Sequence, residues 1–90
     1  MAKRAFVTYR GMVQGVGFRY TARTLANQFE VSGYVKNITN GSVELVAEGE
    51  AEEVQGFLDA VDERMGDLVR SKDVGWSPGT GEFRGFAIRF

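Results

Sequence analysis

Ninety residues with 43% hydrophobic residues and a net charge of −1 describe one domain, residues 1–90, able to bury a modest core but too short for a second lobe. The absence of both cysteine and histidine excludes a disulfide framework, thiolate zinc sites, cysteine nucleophiles and the usual general base. Balanced charge argues against non-specific nucleic-acid binding, and the lack of cysteine leans toward the cytoplasm.

Taken in order, residues 4–10 alternate Ala5, Val7 and Tyr9 against Phe6, Thr8 and Arg10, which predicts a strand with the first set facing a core. This start is not the apolar run of a signal peptide, and no later segment reaches membrane-spanning length. Next comes Gly11-Met12-Val13-Gln14-Gly15-Val16-Gly17-Phe18-Arg19, where a strand hands over to a helix. Ala22, Leu25, Ala26 and Phe29 then recur at helical spacing over residues 19–30, opposite Arg23, Thr24 and Asn27. A second strand is predicted at 31–38 and a third at 42–49, joined through Asn40-Gly41, a pair suited to a tight hairpin turn. Ala51, Val54, Phe57, Leu58, Val61 and Met65 mark a second helix, with Glu50, Glu52 and Glu53 around its first turn, where the dipole favours them. Gly66 is expected to end it. Residues 69–76 read as a fourth strand carrying Val74 and Trp76. Pro78, Gly79 and Gly81 form a turn or mobile loop, and 86–90 make a last strand with Phe86, Ile88 and Phe90 on one packed face.

The order is β-α-β-β-α-β plus a short C-terminal strand. That is the ferredoxin-like plan, an α+β two-layer sandwich with two helices on one face of a mostly antiparallel sheet. A right-handed crossover makes the first two strands parallel, and the third fits between them. Their C-terminal ends therefore share one sheet edge, with the glycine stretch leaving the first and Asn37 ending the second, roughly 10 Å apart. Glycines that bring the backbone close to a ligand, the unpaired N–H groups of a helix start and the planar fork of Arg19 together suit a phosphoryl group. The competing view is a chain-reversing turn with Arg19 solvated, and a turn role or glycan acceptor for Asn37.

Known nucleotide motifs do not fit. Gly15-Val16-Gly17 lacks the third glycine of a dinucleotide fingerprint, and no Walker loop is present. The aromatic run in residues 84–90 superficially echoes RNA-recognition modules, but it ends the chain instead of preceding the second helix.

Gly-x-Val-Gln-Gly-Val-Gly-Phe-Arg at 11–19, Gly33-Tyr34-Val35-Lys36-Asn37, Asn40-Gly41-Ser42-Val43-Glu44 and Glu48-Gly49 together resemble the acylphosphatase family over nearly the whole chain. The closing Phe86-Ala87-Ile88-Arg89-Phe90 is similar to the family's last strand. Departures are mild: Met12 stands where many members have a basic residue, Tyr34 for a frequent tryptophan, Lys36 for arginine and Asn40 for aspartate. The resemblance implies metal-independent hydrolysis of a small acyl phosphate to a carboxylate and inorganic phosphate by direct attack of water. No cofactor, nucleic acid or membrane is implied, and the expected form is a cytoplasmic monomer. It also implies that Arg19 binds the phosphoryl group together with backbone amides of Gln14, Gly15, Val16, Gly17, Phe18 and Arg19 itself, while Asn37 orients the water. A non-catalytic anion-binding or regulatory module, like a similar domain inside a hydrogenase-maturation protein, is the alternative. An RNA-binding sheet is a weaker one.

Overall fold

Alternation in the opening residues becomes strand β1, Ala2–Gly11, with Ala5, Val7 and Tyr9 fully buried. The computed structural model describes residues 1–90. After β1 come α1 (Phe18–Ala26), β2 (Ser32–Asn37), β3 (Val43–Glu50), α2 (Ala51–Met65), a 3-10 turn (Gly66–Leu68), β4 (Val69–Pro78) and β5 (Phe86–Arg89). The sheet order is β4-β1-β3-β2-β5. β3 runs antiparallel to both β1 and β2, β4 antiparallel to β1, and β5 parallel to β2. This is the expected ferredoxin-like sandwich, with both helices over the face that carries Ala5, Val7 and Tyr9.

With nine residues, α1 is too short to persist on intrinsic propensity; packing holds it. Phe18, Ala22, Leu25 and Ala26 are buried in one cluster with Val54, Phe57, Leu58, Val61 and Met65 of α2. Burial of each large side chain contributes about 1.5–3 kcal/mol. The predicted extension of this helix to residue 30 is not observed. Asn27, Gln28 and Phe29 instead donate to carbonyls three residues back, which tightens the chain out of the helix while still seating Phe29 6.2 Å from Phe57.

The β2–β3 connection also departs from a two-residue turn. Asn37 pairs with Val43, leaving residues 38–42 as the loop, closed by Ile38 N–H to the Ser42 carbonyl at 2.9 Å. Asn40 Oδ1 accepts from the Ser42 N–H and hydroxyl at 2.9 and 2.6 Å, so Asn40 acts through its side chain. Strand β4 is longer than its pattern suggests and forms one sheet edge. Register places Trp76 opposite Ala5 and Val74 opposite Val7, on the helix side, yet both stay substantially exposed.

The second face of the sheet is partly covered. Glu48 points there yet is only 4% exposed, because its carboxylate accepts from Thr80 N–H (2.9 Å), Gly81 N–H (2.9 Å), the Thr80 hydroxyl (2.7 Å) and Arg4 (3.3 Å). The stretch after Pro78, which reads in sequence as a turn or mobile loop, is thus pinned to β3, and Phe83 packs on Tyr34 at 5.8 Å.

Two tests follow from these contacts. Burial alone pushes the Glu48 carboxyl up, but the bonds from Thr80 and Gly81 and the charge of Arg4 bring it below its ordinary value of 4.5. A depressed value means that its stabilisation is complete above pH 4.5 and is lost as pH falls through the lower folded value. Denaturant melts of Glu48→Gln should show lower stability at neutral pH and a shallower acid limb than the parent. The Tyr9 hydroxyl is buried without a partner, so Tyr9→Phe should raise unfolding free energy by about 1 kcal/mol.

Candidate active site

The chain between β1 and α1 hangs between two buried pegs, Val13 and Phe18, the latter packed on Tyr9 at 4.9 Å. Residues 14–17 between them are exposed. On one side Met12 N–H donates to the Leu68 carbonyl at 2.9 Å. On the other, the Gln14 side-chain amide donates to the carbonyls of Ile38 (2.7 Å) and Ser42 (2.9 Å). The loop is therefore tied to the turn after α2 and to the hairpin that follows Asn37.

Inside that frame, Gly15 and Gly17 adopt φ of 75° and 81°, while Val16 between them does not have positive φ. A side chain added at either glycine would meet nothing within 4 Å, so the requirement is conformational and not one of space. With glycines of positive φ on either side of Val16, successive N–H groups can turn toward one side, the arrangement of an anion-binding nest. None of the backbone N–H groups of residues 14–20 meets an acceptor within the chain. The start of α1 has no side-chain cap and no acidic residue in its first turn, so its positive dipole end is uncompensated.

A cavity of about 220 Å3 lies against this loop, lined by Val13, Gly15, Gly17, Phe18, Arg19, Tyr20 and Asn37. Arg19 and Asn37, placed on one sheet edge by topology, thus line one small space. Gly15, Gly17 and Phe18 line it too. Val16 and Gln14 do not: the Val16 side chain is exposed, and that of Gln14 serves the hairpin. Arg19 pairs with no carboxylate; its guanidinium sits 4.9 Å from the centre of the Phe90 ring. Phe90 is 88% exposed, which corrects its predicted place on a packed strand face. Phe86 and Ile88 do pack against the core, Phe86 edge-on to Phe57 at 5.2 Å. They face the helices and offer no open stacking platform for bases.

Chemically the site is unusual in what its side chains omit. No carboxylate, histidine or cysteine lines the cavity, so it offers neither a metal-ligand set nor a general base. What converges is one guanidinium, one side-chain amide and a row of backbone donors, a set matched to a tetrahedral oxyanion. The largest surface groove, about 790 Å3 between α2 and β4 and lined by residues such as Trp76, Gly56 and Lys3, sits at the opposite end of β1. Sequence reasoning missed the Gln14 clamp, Val13, Tyr20 and Phe90. A polar residue between glycines signals Gln14, whereas Phe90 requires knowing that β5 lies beside β2.

The chain is similar over most of its length to proteins of one family. The family model described as Acylphosphatase matches residues 5–88. An acylphosphatase of Geotalea uraniireducens is 43% identical over 91 residues, covering 100% of both chains. One from Salinibacter ruber is 40% identical over 88 residues, covering 97% of this chain and 93% of its own. The crystal structure of acylphosphatase from Bacillus subtilis superposes with a TM-score of 0.87 at 33% identity, covering 100% of both chains.

The clamp and the nest can be tested separately. Gln14→Leu keeps the bulk of the side chain but removes one of the two donors to each of the Ile38 and Ser42 carbonyls, which keep their backbone partners, and should accelerate hydrogen exchange in residues 38–42 with a stability loss of about 1 kcal/mol. Gly17→Ala forces a side chain into positive φ and should cost about 1 kcal/mol, read by denaturant unfolding.

Proposed function

The chain belongs to the acylphosphatase family and hydrolyses the carboxyl–phosphate bond of acyl phosphates; from that premise we propose that Arg19 and Asn37 are its catalytic residues, acting with the backbone amides of residues 14–19. The observation that carries the assignment is that Arg19 and Asn37 line one cavity beside a loop whose N–H groups have no acceptor.

In the ground state the amides and Arg19 bind the phosphoryl oxygens. As the bond to the leaving carboxylate lengthens, charge spreads over the three equatorial oxygens, where these donors stabilise it. Asn37 aligns a water opposite the leaving group, and its side-chain carbonyl accepts one of the water's hydrogens. The water oxygen then bonds to phosphorus, and the phosphorus–oxygen bond to the acyl group breaks with its electron pair leaving on the carboxylate. A phosphoryl oxygen takes the proton, so an acyl phosphate dianion and water give a carboxylate and dihydrogen phosphate. A carboxylate leaves without protonation, which is why a cavity lacking an acid or base suffices. Positioning and charge stabilisation supply the rate, without a metal or a covalent phosphoenzyme. Residues 1–90 act as one domain and as a monomer, in the cytoplasm.

Arg19→Ala should raise KM for an acyl phosphate and lower kcat/KM by at least about a thousandfold. Asn37→Ala should lower kcat by on the order of a hundredfold while inorganic phosphate still inhibits. Full activity in a folded Asn37→Ala protein would remove its role in placing water. Phosphate release from an acyl phosphate should be unchanged by a chelator, and an alkyl phosphate monoester should not be hydrolysed.

A further inference from the structure

Strand β5 runs parallel to β2, and their last paired residues are Lys36 and Arg89. Phe90 and Asn37 each stand one residue beyond that last pair. Alternation sends Arg89 to the uncovered sheet face, where it lies 4.1 Å from the centre of the Tyr34 ring. It sends Phe90 to the helix side with Phe86 and Ile88, at the edge where α1 begins. The ring there is neither packed into the core nor an idle exposed group: the guanidinium of Arg19 rests over it.

We propose that Phe90 is a positioning residue for Arg19, holding the guanidinium at the cavity before an anion arrives. Three observations combine. Arg19 has no hydrogen bond or ion pair, so the ring is the partner that limits its rotamers. A ring engages the flat face of a guanidinium, leaving the edge N–H donors free for a phosphoryl group. While stacked on Phe90, Arg19 already lines the cavity with Asn37. The neighbouring Arg23 lies 5.3 Å from the Tyr20 ring, which gives that cation a separate partner.

An aromatic ring orders the cation without competing for its donors. The proposal rests on the phosphate-binding assignment of Arg19 made above.

The test measures KM and kcat for an acyl phosphate and the inhibition constant of inorganic phosphate in Phe90→Leu, Phe90→Tyr and Arg19→Gln proteins and in the double variant Arg19→Gln/Phe90→Leu. Phe90→Leu retains an apolar side chain but no ring. It should raise both KM and the phosphate inhibition constant about two- to fivefold with kcat changed less than twofold, and Phe90→Tyr should restore both. In the Arg19→Gln background the second substitution should add nothing. Unaltered phosphate inhibition in Phe90→Leu, with Arg19→Gln impaired, overturns the positioning role alone, as does an equal loss in the Arg19→Gln background. Unaltered phosphate inhibition in Arg19→Gln overturns the assignment of Arg19, and the positioning role falls with it. Phe90 is almost fully exposed, so thermal melts of its variants should match the parent and exclude misfolding as the source of any change.

Discussion

Every backbone N–H in a folded chain needs an acceptor, and between β1 and α1 this protein leaves a run of them without one from its own chain. At Gly11 the chain leaves the β1 ladder, and a helix supplies no acceptor for the N–H groups of its first turn. The donors of residues 14–20 fall in the gap between these two systems. Elsewhere such a gap is closed by a capping serine or aspartate; here Gly17 occupies the cap position and offers no side chain. The consequence is a concentration of oriented dipoles on the surface, held open by contacts made outside it. Val13 and Phe18 fix the two ends in the core, Met12 is tied to Leu68, and Gln14 is tied to the hairpin.

Much of this arrangement was legible in the residues. The alternation of Ala5, Val7 and Tyr9 marked the core side of β1, and the spacing of Val54, Phe57, Leu58 and Val61 marked α2. The right-handed crossover places the ends of β1 and β2 on one sheet edge, which brings Asn37 to Arg19 from the order of the elements alone. That edge survives the errors made on either side of it, because topology depends on the order of elements and not on their last residues.

What was not legible depends on distant register. Glu48 alternates as a solvent-facing residue of β3, and only the return of Thr80 and Gly81 across the sheet explains its burial. Phe90 continues the period of Phe86 and Ile88, so pattern alone assigns it to the core. At the edge where α1 begins the ring stays exposed, and it meets the guanidinium of Arg19 instead. Likewise, the end of α1 is set by three-residue hydrogen bonds at Asn27, Gln28 and Phe29, although Phe29 keeps the apolar period and its core contact. In each case a local rule was followed by the chain, and a partner many residues away decided what the rule produced.

Strand β1 lies between β3 and β4, so neither of its partners has been made when β1 leaves the ribosome. Lys3 pairs with Gly49 and with Pro78, separations that put the sheet among the slower topologies to assemble. The glycine loop inherits that dependence, since its tethers run to residues 38, 42 and 68. A peptide excised as residues 11–19 would carry every glycine and the arginine, yet it would not carry the concavity. The concavity is a property of the closed sheet, acquired late in the life of the nascent chain, and the glycine stretch is only where that property is displayed.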